Sequence, residues 1–175
     1  DERDLSDLSG LLRSSEFRAA VEKREVNWLG APMDIYGPGV FKYSEAQDVY
    51  FAMLPFFYHW RMKDKGSWPD TFDVQLAVSR DGLHFQRLGG RRPFLRLGPE
   101  GSFSSKMLWP LCQPIRMGDE LWIYYSGCNW DHSSRVDPKA KSRDSAISRA
   151  IMRLDGFISV DADYEGGWLT TPLLV

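Results

Sequence analysis

The sequence lacks most of the features that assign a function quickly. It has two cysteines, Cys112 and Cys128, and three histidines in 175 residues. The cysteine spacing matches no metal motif and leaves a disulfide or two buried thiols as the alternatives. Asp131 and His132 are neighbours that could ligate a metal, but two adjacent ligands without further clustered partners do not make a metal site, and no metal or cofactor is expected. An excess of one charge is also lacking. The formal net charge is −2 with acidic and basic residues interspersed, which excludes the basic footprint of a nucleic-acid binder or of a protein held on anionic membrane. No apolar run approaches the roughly 18 residues of a membrane span, and no signal peptide is visible. Compartment and oligomeric state stay open.

What is present is period-two alternation broken by tight turns. Residues 75–88, QLAVSRDGLHFQRL, alternate apolar and polar into Arg80-Asp81-Gly82 and resume, a β-hairpin pattern in which glycine takes positive φ at no steric cost. Residues 147–160, ISRAIMRLDGFISV, repeat it around Asp155-Gly156. The strand before each hairpin also repeats, Asp48-Val49-Tyr50-Phe51-Ala52-Met53 against Glu120-Leu121-Trp122-Ile123-Tyr124-Tyr125. Asp48 to Glu120 is 72 positions and Asp81 to Asp155 is 74, so two landmarks agree on one period. A short strand precedes each unit, at 39–43 and at 113–117. Each unit therefore reads as a four-stranded antiparallel meander, the blade of a β-propeller. The period exceeds the roughly 40–50 residues of compact blades, and insertions at 59–71 and 128–144 account for the excess.

The expected fold class is all-β: about two complete blades, at 30–88 and 105–160, of a partial five-bladed propeller. The segment 166–175 reads as the start of a further strand, and residues 1–25 as a helical arm, since Leu5, Leu8, Leu11 and Leu12 have helical spacing. A propeller of about 4–8 blades needs more chain than this, so the sequence reads as part of a larger propeller whose further blades come from missing chain, or as an open structure of two blades and flanking strands.

The aromatic content, 14% with seven Trp and seven Tyr, fits sugar-stacking platforms and blade-to-blade cores alike. Asp34, with Tyr36 in a Gly/Pro-rich turn, leads into an inner strand and either points into the channel or caps the turn locally. Glu100, Lys106 and Trp109 hold the corresponding place in the second unit, with Ser104 and Ser105 beside them. Residues 55–73 read as a long aromatic loop ending in Asp70 and Asp73, and the two inserted loops open alike, with Tyr58-His59-Trp60 and with Asn129-Trp130-Asp131-His132. Loop placement favours binding roles for His59, Asp73, Asn129, Asp131 and His132, most simply polar contacts to sugar hydroxyls. Arg91, Arg92 and Arg96 read as a solvated basic face, or as one arginine holding a carboxylated or sulfated sugar.

The Ser79-x-Asp81-Gly82-x-x-Phe85 hairpin, the segment Asp34-Ile35-Tyr36-Gly37-Pro38-Gly39-Val40-Phe41 and the blade ending 118–127 resemble the five-bladed β-propeller glycosidases, the arabinanase, levansucrase and invertase superfamily of glycoside hydrolase families 32 and 43. The stretch 154–173 is similar to an uncharacterised bacterial branch of it. The resemblance covers roughly residues 30–175. It implies a carbohydrate ligand and hydrolysis by paired carboxylates, one protonated to release the leaving oxygen and one ionised. On this resemblance Asp34 matches the aspartate that tunes the acid and holds the sugar. Cys112 or Ser104 stands where the acid is expected, and Glu100 is the nearest substitute. The first-blade aspartate has no counterpart in the sequence. Tyr36, His59, Asp73, Trp109, Asn129 and His132 would line the funnel. The competing readings are a carbohydrate-binding propeller without catalysis and a protein-interaction propeller.

Overall fold

The computed structural model describes residues 33–58, 71–111, 113–132 and 134–171. The expected N-terminal arm, His59 with most of its insertion, Cys112 and residues 172–175 lie outside the described residues.

The described chain is all-β. Its nine strands are β1 Met33–Ile35, β2 Gly39–Lys42, β3 Tyr50–Tyr58, β4 Thr71–Ser79, β5 Gln86–Arg87, β6 Met107–Pro110, β7 Ile115–Met117, β8 Glu120–Cys128 and β9 Ser145–Arg153. They form one mixed sheet in which β1 and β2 both pair with β3, β3 with β4, and β4 with β5. In the second half β6 and β7 both pair with β8, and β8 with β9. The repeat is visible here: a broken inner strand, then two nine-residue antiparallel strands. A single parallel bridge, Phe72 with Met107, joins the halves.

The first inner strand, β1 and β2, breaks for a local reason. Gly37 takes a φ of 43° after Tyr36, and Pro38 follows. Opposite the break stands Pro55, inside β3. Its carbonyl accepts from the Tyr36 amide at 2.9 Å, so its missing N–H would have faced the gap between β1 and β2. Proline is tolerated within a strand only where no ladder bond is needed, and the interrupted neighbour supplies that condition.

The first hairpin forms as expected, with Ala77 opposite Arg87 and Val78 opposite Gln86. Its Ser-x-Asp-Gly sequence is a set of turn bonds. The Ser79 hydroxyl accepts from the Gly82 amide at 2.9 Å, and Asp81 Oδ1 accepts from the Leu83 and His84 amides at 2.9 and 2.8 Å. These N–H bonds, led by that of His84, hold the exposed Asp81 carboxyl well below the usual carboxylate range. Gly82 takes a φ of 74°, and a Cβ there would lie 3.5 Å from the Tyr50 ring.

Three boundaries differ from the sequence expectation. First, β3 runs on to Tyr58, taking in Pro55-Phe56-Phe57-Tyr58, which read as loop; these residues are buried on both faces of the sheet, so neither face shows alternation. Second, the strand expected at 157–160 does not form. Phe157 turns inward instead and stacks on Phe51 at 4.0 Å between ring centroids, with Tyr43 edge-on at 5.1 Å. Third, residues 166–171 form no strand, and Trp168 is fully exposed. Among the described residues β9 therefore pairs on one edge alone, with Ile147 and Ile151 exposed on one face.

The main core lies between the halves. Phe41, Phe51, Met53, Val74 and Leu76 from the first pack with Leu108, Leu121, Ile123 and Phe157 from the second. The second Asp-Gly turn is tied across the same seam, where Tyr43 donates to Asp155 Oδ1 at 2.5 Å.

Candidate functional site

Period-two geometry sorts the candidate residues into two groups. Asp34 is opposite Phe57 on β3, and Phe57 is opposite Phe72 on β4, so these three side chains share one face. Asp73 is opposite Phe56 and shares the other face with Tyr58 and Gln75. A one-residue step along β3 and β4 thus separates the Asp34 group from the Asp73 group.

On the Asp34 face an aromatic shelf is built from four segments. Phe57 and Phe72 stack at 4.9 Å and form its floor. Tyr36, from the break between β1 and β2, stands edge-on to both, at 5.6 and 5.0 Å. His132, from the loop after β8, lies 6.0 Å from Tyr36 and 5.3 Å from Phe57. Trp109 on β6 reaches Phe72 at 5.4 Å, because the parallel bridge sets β6 beside β4. Tyr36 remains 39% exposed and His132 is exposed, so ring edges and polar atoms meet solvent above a buried apolar base. Asp34 is exposed beside them on β1. Tyr36, Trp109 and His132, candidates from separate stretches of sequence, are thus brought together, whereas Phe57 and Phe72 were missed. Both lie where β3 and β4 have lost their alternation, and no pattern distinguished them from core.

On the other face Asp73 belongs to a buried relay. The Tyr58 hydroxyl donates to Asp73 Oδ1 at 2.6 Å and accepts from Gln75 Nε2 at 2.9 Å. Gln75 Oε1 in turn accepts from Arg87 Nε and Nη2 at 3.1 and 2.6 Å, and that guanidinium lies 4.5 Å over the Phe56 ring. Burial pushes the Asp73 carboxyl up to about 6, against the opposing Tyr58 hydrogen bond and Arg87 charge. Burial and then the neighbouring Asp73 charge also raise Tyr58. Gln75 and Arg87 were not singled out in the sequence, and Tyr58 was named only as the opening of the inserted loop; a glutamine facing inward within β4 was the available signal.

The remaining candidates serve the loops. Asn129 is buried, its amide donating to Ser142 O at 2.8 Å and its carbonyl accepting from the Asp144 amide at 2.8 Å. Asp131 is buried too and accepts from Arg135 Nε at 2.7 Å and from its amide at 2.9 Å. Neither presents a polar atom to a ligand in this arrangement; both organise the loop that carries His132. Glu100, exposed on its turn, is ion-paired with Lys139. Lys106 lies near Asp137, a buried acid that the sequence reading passed over. Burial tends to raise Asp137, but hydrogen bonds from the Gly101 and Lys139 amides and the Lys106 charge outweigh it and bring it down to about 2. Ser104 is buried between Gly98 and Gly127: a Cβ on Gly127 would lie 2.9 Å from that of Ser104. Cys128 is a buried free thiol. Among the described residues no three His, Cys, Asp or Glu side chains cluster to hold a metal.

No family model matches the chain, and no curated protein matches it. Among solved structures the chain is similar to an N-acetylgalactosamine deacetylase from F. plautii, solved in complex with blood group B trisaccharide, at 20% identity and a TM-score of 0.48. That similarity covers 73% of this chain and 35% of the deacetylase chain, so the chain spans about a third of that enzyme's length.

Proposed function

We propose that this chain is a carbohydrate-binding unit of a β-propeller of the glycosidase kind, with the aromatic shelf as its sugar platform. The observation that carries this reading is the meeting of Tyr36, Trp109 and His132 on the Phe57–Phe72 floor beside Asp34. Aromatic rings offer a desolvated surface to the C–H face of a sugar, while the Tyr36 hydroxyl, the His132 ring and the Asp34 carboxylate supply directional bonds to hydroxyls. The repeated unit of broken inner strand and two long strands supports the propeller part.

Binding is favoured over hydrolysis on chemical grounds. Glycoside hydrolysis needs one protonated and one ionised carboxyl roughly 5–9.5 Å apart across the bond. Asp73, whose carboxyl is raised, stands on the opposite face of the sheet from Asp34, and Glu100 is paired with Lys139.

Calorimetric titration with neutral arabino-, xylo-, fructo- and galacto-oligosaccharides tests this, beside Tyr36→Ala and Trp109→Ala and an assay for released reducing sugar. Binding of at least one class, weakened roughly tenfold or more by either substitution, is the expected result. Sugar release that disappears in Asp34→Asn would replace the binding reading with a hydrolytic one. Absence of binding to the whole panel, or binding indifferent to both aromatic substitutions, would remove the shelf as a sugar site.

A further inference from the structure

We propose that the cleft beside Asp73 is a second saccharide site, selective for an acidic sugar whose carboxylate is held by Arg92 and Arg96 and whose ring hydroxyls donate to Asp73. The cleft encloses about 740 Å³ and is lined by Asp73, Gly90, Arg92, Pro93, Arg96 and Leu97. It belongs to the edge of β4, whereas the shelf lies on the Asp34 face.

The backbone that presents the two arginines is pinned. The Phe94 and Leu95 amides donate to Val74 O at 2.7 and 3.0 Å, and the Arg92 amide closes a turn onto Gly89 O at 3.1 Å. Neither guanidinium has an ion-pair partner among the described residues, although Arg116, Arg135 and Lys139 are paired with Glu45, Asp131 and Glu100. Two guanidiniums that line one cleft and have no ion-pair partner among the described residues can supply donors to the two oxygens of a carboxylate.

Asp73 narrows the ligand further. Its side chain is more than nine-tenths buried, Oδ1 is taken by Tyr58, and Oδ2 has no protein partner among the described residues. A bare anion would satisfy the arginines but would meet an acceptor at Asp73. A uronate answers both, with its carboxylate toward Arg92 and Arg96, its hydroxyls toward Asp73 and its apolar ring face toward Pro93 and Leu97. The sugar part of the assignment rests on the carbohydrate reading above, and the carboxylate part on the arginines alone.

The test is calorimetry of the full chain with a galacturonate disaccharide, the corresponding neutral galactose disaccharide and inorganic sulfate. The uronate is expected to bind more tightly than sulfate. Arg92→Ala and Arg96→Ala should each weaken it roughly tenfold or more, as loss of a charge-assisted contact does, and Asp73→Asn should weaken it as well. Arg116→Ala, an exposed charge control elsewhere, should leave it unchanged, and unfolding midpoints of the exposed-arginine variants check that they fold. Equal affinity for sulfate and uronate would reduce the cleft to an unselective anion site and overturn the proposal. Uronate binding that survives both arginine substitutions but is lost in Tyr36→Ala would overturn the cleft and leave the shelf standing. Uronate binding lost with Arg92, beside neutral sugars that never bind, would uphold the cleft and overturn the shelf. No uronate binding at all would overturn the cleft outright.

Discussion

Replacing Asp73 by asparagine should remove a defined pH dependence from the stability of this protein. Burial raises the Asp73 carboxyl from its ordinary 3.8 to about 6, so the fold favours the protonated acid over the carboxylate. For a group raised in this direction the stabilising contribution is complete below the unfolded value, near pH 4, and is lost as pH rises through about 6. At 1.36 kcal/mol per unit, the interval corresponds to about 3 kcal/mol of unfolding free energy. Asparagine has nearly the volume of the protonated acid and keeps an acceptor for the Tyr58 hydroxyl, which lies 2.6 Å from Oδ1, but it cannot ionise. Urea unfolding followed by tryptophan fluorescence at pH 4, 5, 6 and 7 would measure both proteins. Other titrations are shared and cancel, so the difference between wild type and Asp73→Asn should shift by roughly 2.4 kcal/mol against the wild type between pH 4 and pH 7, the rest of the interval falling below pH 4. A difference that stays constant across this range would refute the assignment of a raised carboxyl to this site.

Two further substitutions test the packing around the candidate site. Asn129→Ala removes two buried hydrogen bonds, to Ser142 O and from the Asp144 amide, and should lower the unfolding free energy by about 2–4 kcal/mol in the same urea assay. Gly127→Ala puts a methyl 2.9 Å from the Ser104 Cβ and 3.2 Å from the Phe103 ring, and should cost about 1–3 kcal/mol by overpacking. Adding Ser104→Gly should recover part of that cost, giving a double variant less destabilised than the sum of the singles.

Part of the strand pattern was legible because one face of the strand is less buried than the other, as around Val40 in β2 and Ile123 in β8. The hairpin at Asp81-Gly82 and the tandem repeat follow from turn chemistry and the repeated apolar spacing. Where a strand is covered on both sides the pattern disappears, so Pro55-Phe56-Phe57-Tyr58 read as an aromatic loop and β3 was cut short. Phe157 failed in the opposite direction: local alternation favoured a strand, and the space between the halves took the ring as core. The candidate site behaved likewise. Tyr36, Trp109 and His132 were found as aromatic or polar residues in turns and loops, but Asn129 and Asp131, of equally suggestive type, are spent on internal hydrogen bonds.

The amino-acid order by itself determined the all-β class, the twofold repeat of the strand unit and the Ser-Asp-Gly turn, because these depend on neighbours within a few residues. The tertiary structure decided which candidates share a face. Asp34 and Asp73 look alike in sequence, each beside aromatic residues at the end of a strand. Their pairing with Phe57 and Phe56, one residue apart on β3, sends them to opposite sides of the sheet. Burial then raises the Asp73 carboxyl, and the single bridge between Phe72 and Met107 brings Trp109 to the shelf. Register and burial arise from contacts distant in the chain, and for that reason no local pattern contains them.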